Sequence, residues 1–347
     1  MAKLFKRKPE AGDPAGEPGE VPPAKAADPS WKPVETDLFQ IHPEIAELRY
    51  AALDGDWATV TDFLDRCTHE TDRSWATGYL IEIPGLEKML AKVLADDPGS
   101  LLAAALLGGR TVEQAWEIRG GGWAKDVKPA AWAGFREHLE RAEAIFLDVL
   151  ARDPANLEAG IFRLYSGRGT GAGIGEIMRR YERVAVHNPH SFEAQSSVLQ
   201  SLCPKWGGTW AEAHTFARRC AKAAPGGSVN GALVADVHIE HWMFLEKGAN
   251  KDNYFKHPEV RAEILRFAEY SVLHEDYEGH LGWASVHGAF AFCFAMGGDW
   301  LLAGEQFMRL DGCMSSYPWH YSRSPEYTYR EFRVKSEYHL VGKSTQW

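Results

Sequence analysis

Cysteine is scarce: five in 347 residues (Cys67, Cys203, Cys220, Cys293 and Cys313), odd in number and never spaced as Cys-x-x-Cys. That pattern argues against a disulfide framework and favours a reducing, cytoplasmic setting. Positive charge is also short, with 38 Lys and Arg against 48 Asp and Glu, a net charge of −10. A main partner that is nucleic acid or an anionic membrane needs a basic face, so neither is expected. Long apolar runs are missing. The most apolar stretch, 283–296, is interrupted by His287 and Gly288 and falls short of the ~20 residues that span a bilayer. A buried core helix is expected there, with no membrane insertion. The basic start (Lys3, Lys6, Arg7, Lys8) has no apolar run after it, so no secretory signal is expected.

Catalytic signatures are absent as well. The chain has no Gly-x-Ser-x-Gly elbow, no His-Glu-x-x-His and no Glu-x-x-His pairs. The run Gly167-Arg168-Gly169-Thr170-Gly171-Ala172-Gly173 lacks a preceding strand and a following Lys-Ser/Thr, so it fails as a phosphate loop or dinucleotide fingerprint. It reads as a flexible loop between helices, with Arg168, Arg179 and Arg180 as an alternative anion site at the next helix start. No cofactor is implied.

What is present is helical. Residues 1–35, rich in Pro, Gly, Ala, Glu and Lys, bury too little apolar surface to offset the entropy of ordering and are expected to be a disordered tail. From residue 36 to 314 apolar residues recur at three and four, and no stretch alternates as a half-buried strand would. Ile45, Leu48 and Leu53 form one stripe; Phe135, Leu139, Ala142, Phe146 and Val149 form another. Gly108-Gly109 is expected to end a short apolar helix, with Thr111 capping the next. From Ser315 onward Tyr317, Trp319, His320, Tyr321, Tyr327 and Tyr329 show little helical period. Residues 315–347 are expected to be an irregular aromatic cap on the last helices.

Proline stops recur, after Asp97, Asp153, Asn188 and Ala224. Pro98 to Pro154 is 56 residues, Pro154 to Pro189 is 35, and Pro189 to Pro225 is 36, two of them near the ~34-residue tetratricopeptide period. Ala142, Phe146 and Pro154 fit the small–aromatic–proline marks of that repeat's second helix. Tyr181 and Pro189 fit with Ile177 in place of Ala, and Ala303 and Phe307 fit without the Pro. The expected fold class is all-α, a tetratricopeptide-like helical-hairpin array.

One corner is strongly specified: Cys203-Pro204-Lys205-Trp206-Gly207-Gly208-Thr209-Trp210. Pro204 stops one helix, the glycines turn, and Thr209 with Glu212 has the form of a capping box. With Leu202, Phe216, Ala217 and Arg218, and with a block from Ala115 to Gly120 through Trp132, Phe135, Leu139 and Ala142, the chain resembles a group of bacterial tetratricopeptide-like proteins catalogued only as a domain of unknown function. The resemblance spans roughly residues 50–315. It implies an α-helical repeat fold, no known reaction and no catalytic residues to carry over.

Such arrays bind peptides or partner proteins on a concave face, where Arg and Trp dominate hot spots. The candidate binding residues are Arg119 and Trp123 in the triglycine loop, Arg163 and Arg168, and Lys205, Trp206 and Trp210 at the corner. The competing roles are structural: Trp206 and Trp210 wedged between helices, Lys205 in solvent, and Arg119 on carbonyls at its own helix end. The expectation is therefore a non-enzymatic protein- or peptide-binding module. A second reading is a metal-dependent enzyme. His238 and His241 share one helical face, His280 and His287 lie one heptad apart, and helical bundles build metal sites from inward His and Glu. Against it, His238 and His287 sit on apolar stripes, where a neutral core histidine with one hydrogen-bond partner is the commoner outcome. A third reading, an acidic regulatory or immunity protein masking a basic partner, rests on net charge alone.

Overall fold

The Asp/Asn-Pro steps each close one helix and open another. The computed structural model describes residues 33–121 and 126–344. Helices Leu86–Asp96, Pro129–Arg152 and Ile174–His187 end on Asp97, Asp153 and Asn188, all with φ near −135°. The proline follows directly. Two residues beyond it Ser100, Asn156 and Ser191 take extended backbone, and their side chains accept from the amides of Ala103, Ala159 and Ala194. Each cap satisfies an amide the helix leaves open, worth ~1 kcal/mol. Stop and start therefore sit within about five residues of sequence.

Among the described residues there are 17 α-helices. They are α1 (Leu38–Ile41), α2 (Glu44–Asp54), α3 (Trp57–Arg66), α4 (Glu70–Ile81), α5 (Leu86–Asp96), α6 (Leu101–Arg119), α7 (Pro129–Arg152), α8 (Leu157–Thr170) and α9 (Ile174–His187). Then come α10 (Phe192–Leu202), α11 (Trp210–Ala223), α12 (Ala232–Phe244), α13 (Ala249–Asn253), α14 (Pro258–Glu269), α15 (Trp283–Gly297), α16 (Trp300–Leu310) and α17 (Pro325–Ser344). No strand occurs among the described residues; one isolated bridge joins Glu35 to Cys313. Helices α4, α6, α8, α10, α12 and α15 touch in succession, and α7, α9, α11 and α14 each pack on the two members of that row that flank them in sequence. Helix α4 also reaches α8 and α10.

Two apolar cores meet on α12. Leu233, Val234 and Val237 join the core built from α2 through α11, while Ala232, Ala235 and Ile239 join the core of α14 to α17. Gly108-Gly109 does not break a helix. Both lie inside the 19-residue α6, where a Cβ on Gly108 would stand 2.4 Å from the Phe146 ring and one on Gly109 2.7 Å from the Phe162 ring. Thr111 accordingly caps nothing; its hydroxyl donates to the Leu107 carbonyl at 2.7 Å. The Gly167–Gly173 run is corrected likewise. Helix α8 continues to Thr170, and Gly169 makes room for Leu139, Phe135 and Trp116.

The segment after Ser315 is not irregular. It forms one short turn, Trp319–Tyr321, and the 20-residue α17. Pro325 starts that helix where a missing amide costs nothing. Tyr329 and Phe332, three apart, face Phe307, Trp319 and Trp300. The expectation failed because the inner stripe is aromatic and polar rather than aliphatic. Trp319 and Tyr329 are fully buried, so the segment does cover the last helices. The tail expectation for residues 1–32 lies outside the described residues. No helix of the described residues is long and apolar enough to cross a membrane.

Candidate functional site

The corner after α10 folds as its residues dictate. Cys203 is extended before Pro204, Gly207 takes φ +97°, and Thr209 Oγ1 accepts from the Glu212 amide at 3.2 Å. Gly208 passes so close to Leu202 that a Cβ would lie 2.1 Å from its carbonyl oxygen. Lys205 is only partly solvated: its Nζ lies 2.7 Å from Glu240 Oε2 on α12. Trp206 stands edge-on to Trp116, with the Arg168 guanidinium 5.7 Å from its ring centroid. Trp210 stacks on His241 at 4.5 Å and meets Phe244. Both tryptophans therefore contact neighbouring helices.

Three other candidates are also built into the structure. Arg163, on α8, donates to Glu143 on α7 at 3.2 Å, and Arg180 of α9 donates to the same carboxylate at 2.6 and 3.1 Å. This internal ion-pair network accounts for Arg163 and removes Arg180 from any anion site. Arg119 donates to the Gly120 carbonyl at 2.9 Å and lies over the Trp116 and Trp132 rings, a geometry that carries cation–π attraction. Trp123 lies outside the described residues.

Along the successive row, buried polar side chains accumulate. Glu113 comes from α6, Tyr165 and Arg168 from α8, Glu193 and Ser197 from α10, and Glu240 from α12, with the half-buried Asp236 one turn before it. Glu193 accepts from Tyr165 at 3.3 Å, Asp236 from Tyr317 at 2.7 Å, and Glu240 from Tyr321 at 2.7 Å and Gln200 at 3.0 Å. Burial pushes Glu113, Glu193 and Asp236 each up to about 7. Burial also opposes the charge on Glu240, but Lys205 overcomes it and holds that carboxyl below its ordinary value. Arg168 Nη1 reaches the Ser197 carbonyl at 3.4 Å.

The histidines separate into three places. His238 and His241, one turn apart on α12, meet His214 of α11. His238 Nε2 lies 3.0 Å from Glu263 Oε2 on α14 and its Nδ1 lies 2.8 Å from the Tyr254 hydroxyl; His214 Nε2 lies 3.1 Å from His241 Nδ1. Arg218, one turn after His214, donates to Glu263 at 2.9 Å. In the neutral His238 ring the proton sits on Nε2 facing the carboxylate, leaving Nδ1 to accept from Tyr254. Burial pushes His214 down to about 3 and His241 to about 4, while the hydrogen bond from His238, supported by Arg218, holds Glu263 down to about 2. Ligand atoms of His214, His238 and Glu263 all fall within 4.8 Å of one another.

His280 and His287 do not join that cluster. His280 Nδ1 pairs with Asp72 of α4 at 3.1 Å and stacks on His69, which makes a second His–Asp–His group. His287 bonds Gln306 at 2.8 Å and is buried, a neutral core histidine with its ring pushed down to about 4 by burial. Cys203, buried and bonded to the Leu199 carbonyl, is pushed up to about 12 by burial, so it carries no thiolate at neutral pH. The sequence pattern missed Glu263, Tyr254 and His214 as members of the imidazole cluster. The only local signal is His214 and Arg218 sharing one face of α11 at a spacing of four. In comparisons with family models, curated proteins and solved structures, nothing matches this chain.

Proposed function

We propose that the chain is a tetratricopeptide-like helical-hairpin array, and a binding module that takes a basic peptide segment of a protein partner. One observation carries this reading: carboxylates from α6, α10 and α12, namely Glu113, Glu193, Asp236 and Glu240, accumulate along a single row of touching helices. On α10, Ser197 Oγ and Gln200 Oε1 are buried with no hydrogen-bond partner among the described residues, so that row has acceptors to offer. The repeated stop-and-cap junctions and the resemblance of the Lys-Trp-Gly-Gly corner support the array. A cationic partner lowers the cost of ionising buried carboxylates, and the overall −10 charge speeds its encounter.

The test is fluorescence anisotropy of the full chain with labelled Lys/Arg-rich peptides and with acidic peptides of equal length. Basic peptides should bind, weaken with salt, and weaken again with Glu193→Gln or Asp236→Asn. Binding indifferent to peptide charge, or no binding at all, rejects the reading. Charge reversal of Lys3, Lys6, Arg7 and Lys8 adds a second measurement: tighter peptide binding would identify the chain's own basic segment as a competitor.

A further inference from the structure

We infer that His214, His238 and Glu263 form a binding site for one divalent cation of the zinc class. The inference is independent of the peptide-binding reading. Three helices deliver the donors: α11 brings His214, α12 brings His238 and α14 brings Glu263, with their ligand atoms within 4.8 Å of one another. Two imidazoles and one carboxylate suit zinc, which takes three such protein ligands and an outside fourth. Tetrahedral zinc holds its ligands ~2.0–2.2 Å away, so the three atoms need close in by only a small movement.

The surroundings match what a metal-ligating histidine requires. The second nitrogen of His238 is fixed by the Tyr254 hydroxyl at 2.8 Å, and Arg218 grips Glu263 at Oε1 (2.9 Å) and more weakly at Oε2 (3.3 Å), with Oε2 turned toward His238. Partners of this type orient ligands and set the tautomer. His241, stacked on Trp210, holds His214 at 3.1 Å. His238 is 4% exposed and Glu263 20% exposed, so the carboxylate side gives the ion access. On binding, the His238 proton passes from Nε2 to Nδ1, which then donates it to the Tyr254 hydroxyl oxygen, so the ring stays neutral and Nε2 and Glu263 Oε2 both turn their lone pairs to the ion. The bound ion then ties α11, α12 and α14 together.

The full chain, stripped with chelator, is titrated with Co2+ while its visible absorption is followed, and then with Zn2+ by calorimetry. One equivalent of Co2+ should bind with tetrahedral absorption, Zn2+ should displace it, and Zn2+ should raise Tm. His214→Asn and Glu263→Gln should each weaken Zn2+ binding by roughly tenfold or more and abolish the Tm rise. His280→Asn, in the separate group with Asp72, should leave both unchanged. Failure of the native chain to bind Zn2+ or Co2+ at one equivalent overturns the inference. So does unchanged binding in His214→Asn or Glu263→Gln, or loss confined to His280→Asn. If Glu263→Gln fails to fold, His214→Asn alone decides, because a purely structural histidine would lower Tm without altering its response to Zn2+.

Discussion

Lys205 Nζ lies 2.7 Å from Glu240 Oε2, so the cation of the glycine corner neutralises a carboxylate in the middle of α12. Glu240 is 5% exposed and Lys205 26% exposed. Lys205→Met leaves the carboxylate buried without its countercharge, though Tyr321 and Gln200 still donate to it. Loss of about 1–3 kcal/mol is expected, below the value for a fully buried pair because Lys205 is partly hydrated. Urea denaturation of Lys205→Met, Glu240→Gln and the double variant checks it. The double variant should recover part of the loss, and strict additivity would show that the pair is not coupled.

The glycines of α6 give a prediction with a disputed sign. As an ordinary helix interior position, Gly109→Ala gains up to ~1 kcal/mol from propensity. A Cβ there stands 2.7 Å from Phe162 and 2.8 Å from Ile81, and overpacking costs ~1–3 kcal/mol. Crowding wins, and Gly109→Ala should lower the urea midpoint. A raised midpoint would show that the Phe162 and Ile81 side chains give way and that helix propensity decides the sign.

Those same glycines show where sequence reasoning reaches its limit. Helix class, the Asp/Asn-Pro stops and the Thr209 cap are local properties, and a local pattern suffices to find them. Gly108 and Gly109 were misread because a glycine that admits a phenyl ring 38 or 53 residues away (Phe146, Phe162) looks the same in sequence as one that turns the chain. Helix α17 was missed because its buried face is Tyr329, Phe332 and Ser336, which carries no aliphatic period. The imidazole cluster is distributed over α11, α12 and α14, and only the tertiary packing brings Glu263 to His238. His280 and His287 share a heptad spacing, but a loop end and a helix interior place them beside Asp72 and Gln306.

Glu143 is the hub of a second ionic network, with Arg163 and Arg180 both donating to it and each side chain less than one-fifth exposed. Glu143→Ala takes this carboxylate from the nearly buried Arg163, while Arg180 keeps Glu176 at 2.9 Å and the Arg163 carbonyl at 2.7 Å, and should cost about 3 kcal/mol. Arg163→Ala should cost less, because Arg180 keeps the carboxylate paired. Thermal unfolding of the two variants gives the order; equal or inverted losses would return Arg163 to the list of ligand-binding candidates.

Stability should depend on pH in opposite directions at two sites. Burial pushes Glu193 up to about 7, against about 4.3 in an unfolded chain. Between those values the folded chain holds a proton the unfolded chain has lost, so stability from this group is full at low pH and falls as pH rises through 7. Glu193→Gln should therefore gain on the native protein from pH 5 to 8, by up to about 1.4 kcal/mol per pH unit inside the window. Burial pushes His287 down to about 4, against about 6.5 unfolded, so its contribution is present above 6.5 and lost as pH falls toward 4. His287→Gln should gain on the native protein in that acid range. Denaturation midpoints at pH 4, 5, 6, 7 and 8 test both signs.

The stop-and-cap junctions have a consequence for chain length. Asp97-Pro98-Gly99-Ser100, Asp153-Pro154-Ala155-Asn156 and Asn188-Pro189-His190-Ser191 are equivalent in backbone and in capping. Excising residues 155–189 would join Asp153-Pro154 to His190-Ser191 and recreate a junction of the same type. Each seam is therefore a local instruction, complete within about five residues, for ending one helix and beginning the next, whereas the contacts of α8 with α4 tie the excised segment to a distant part of the chain.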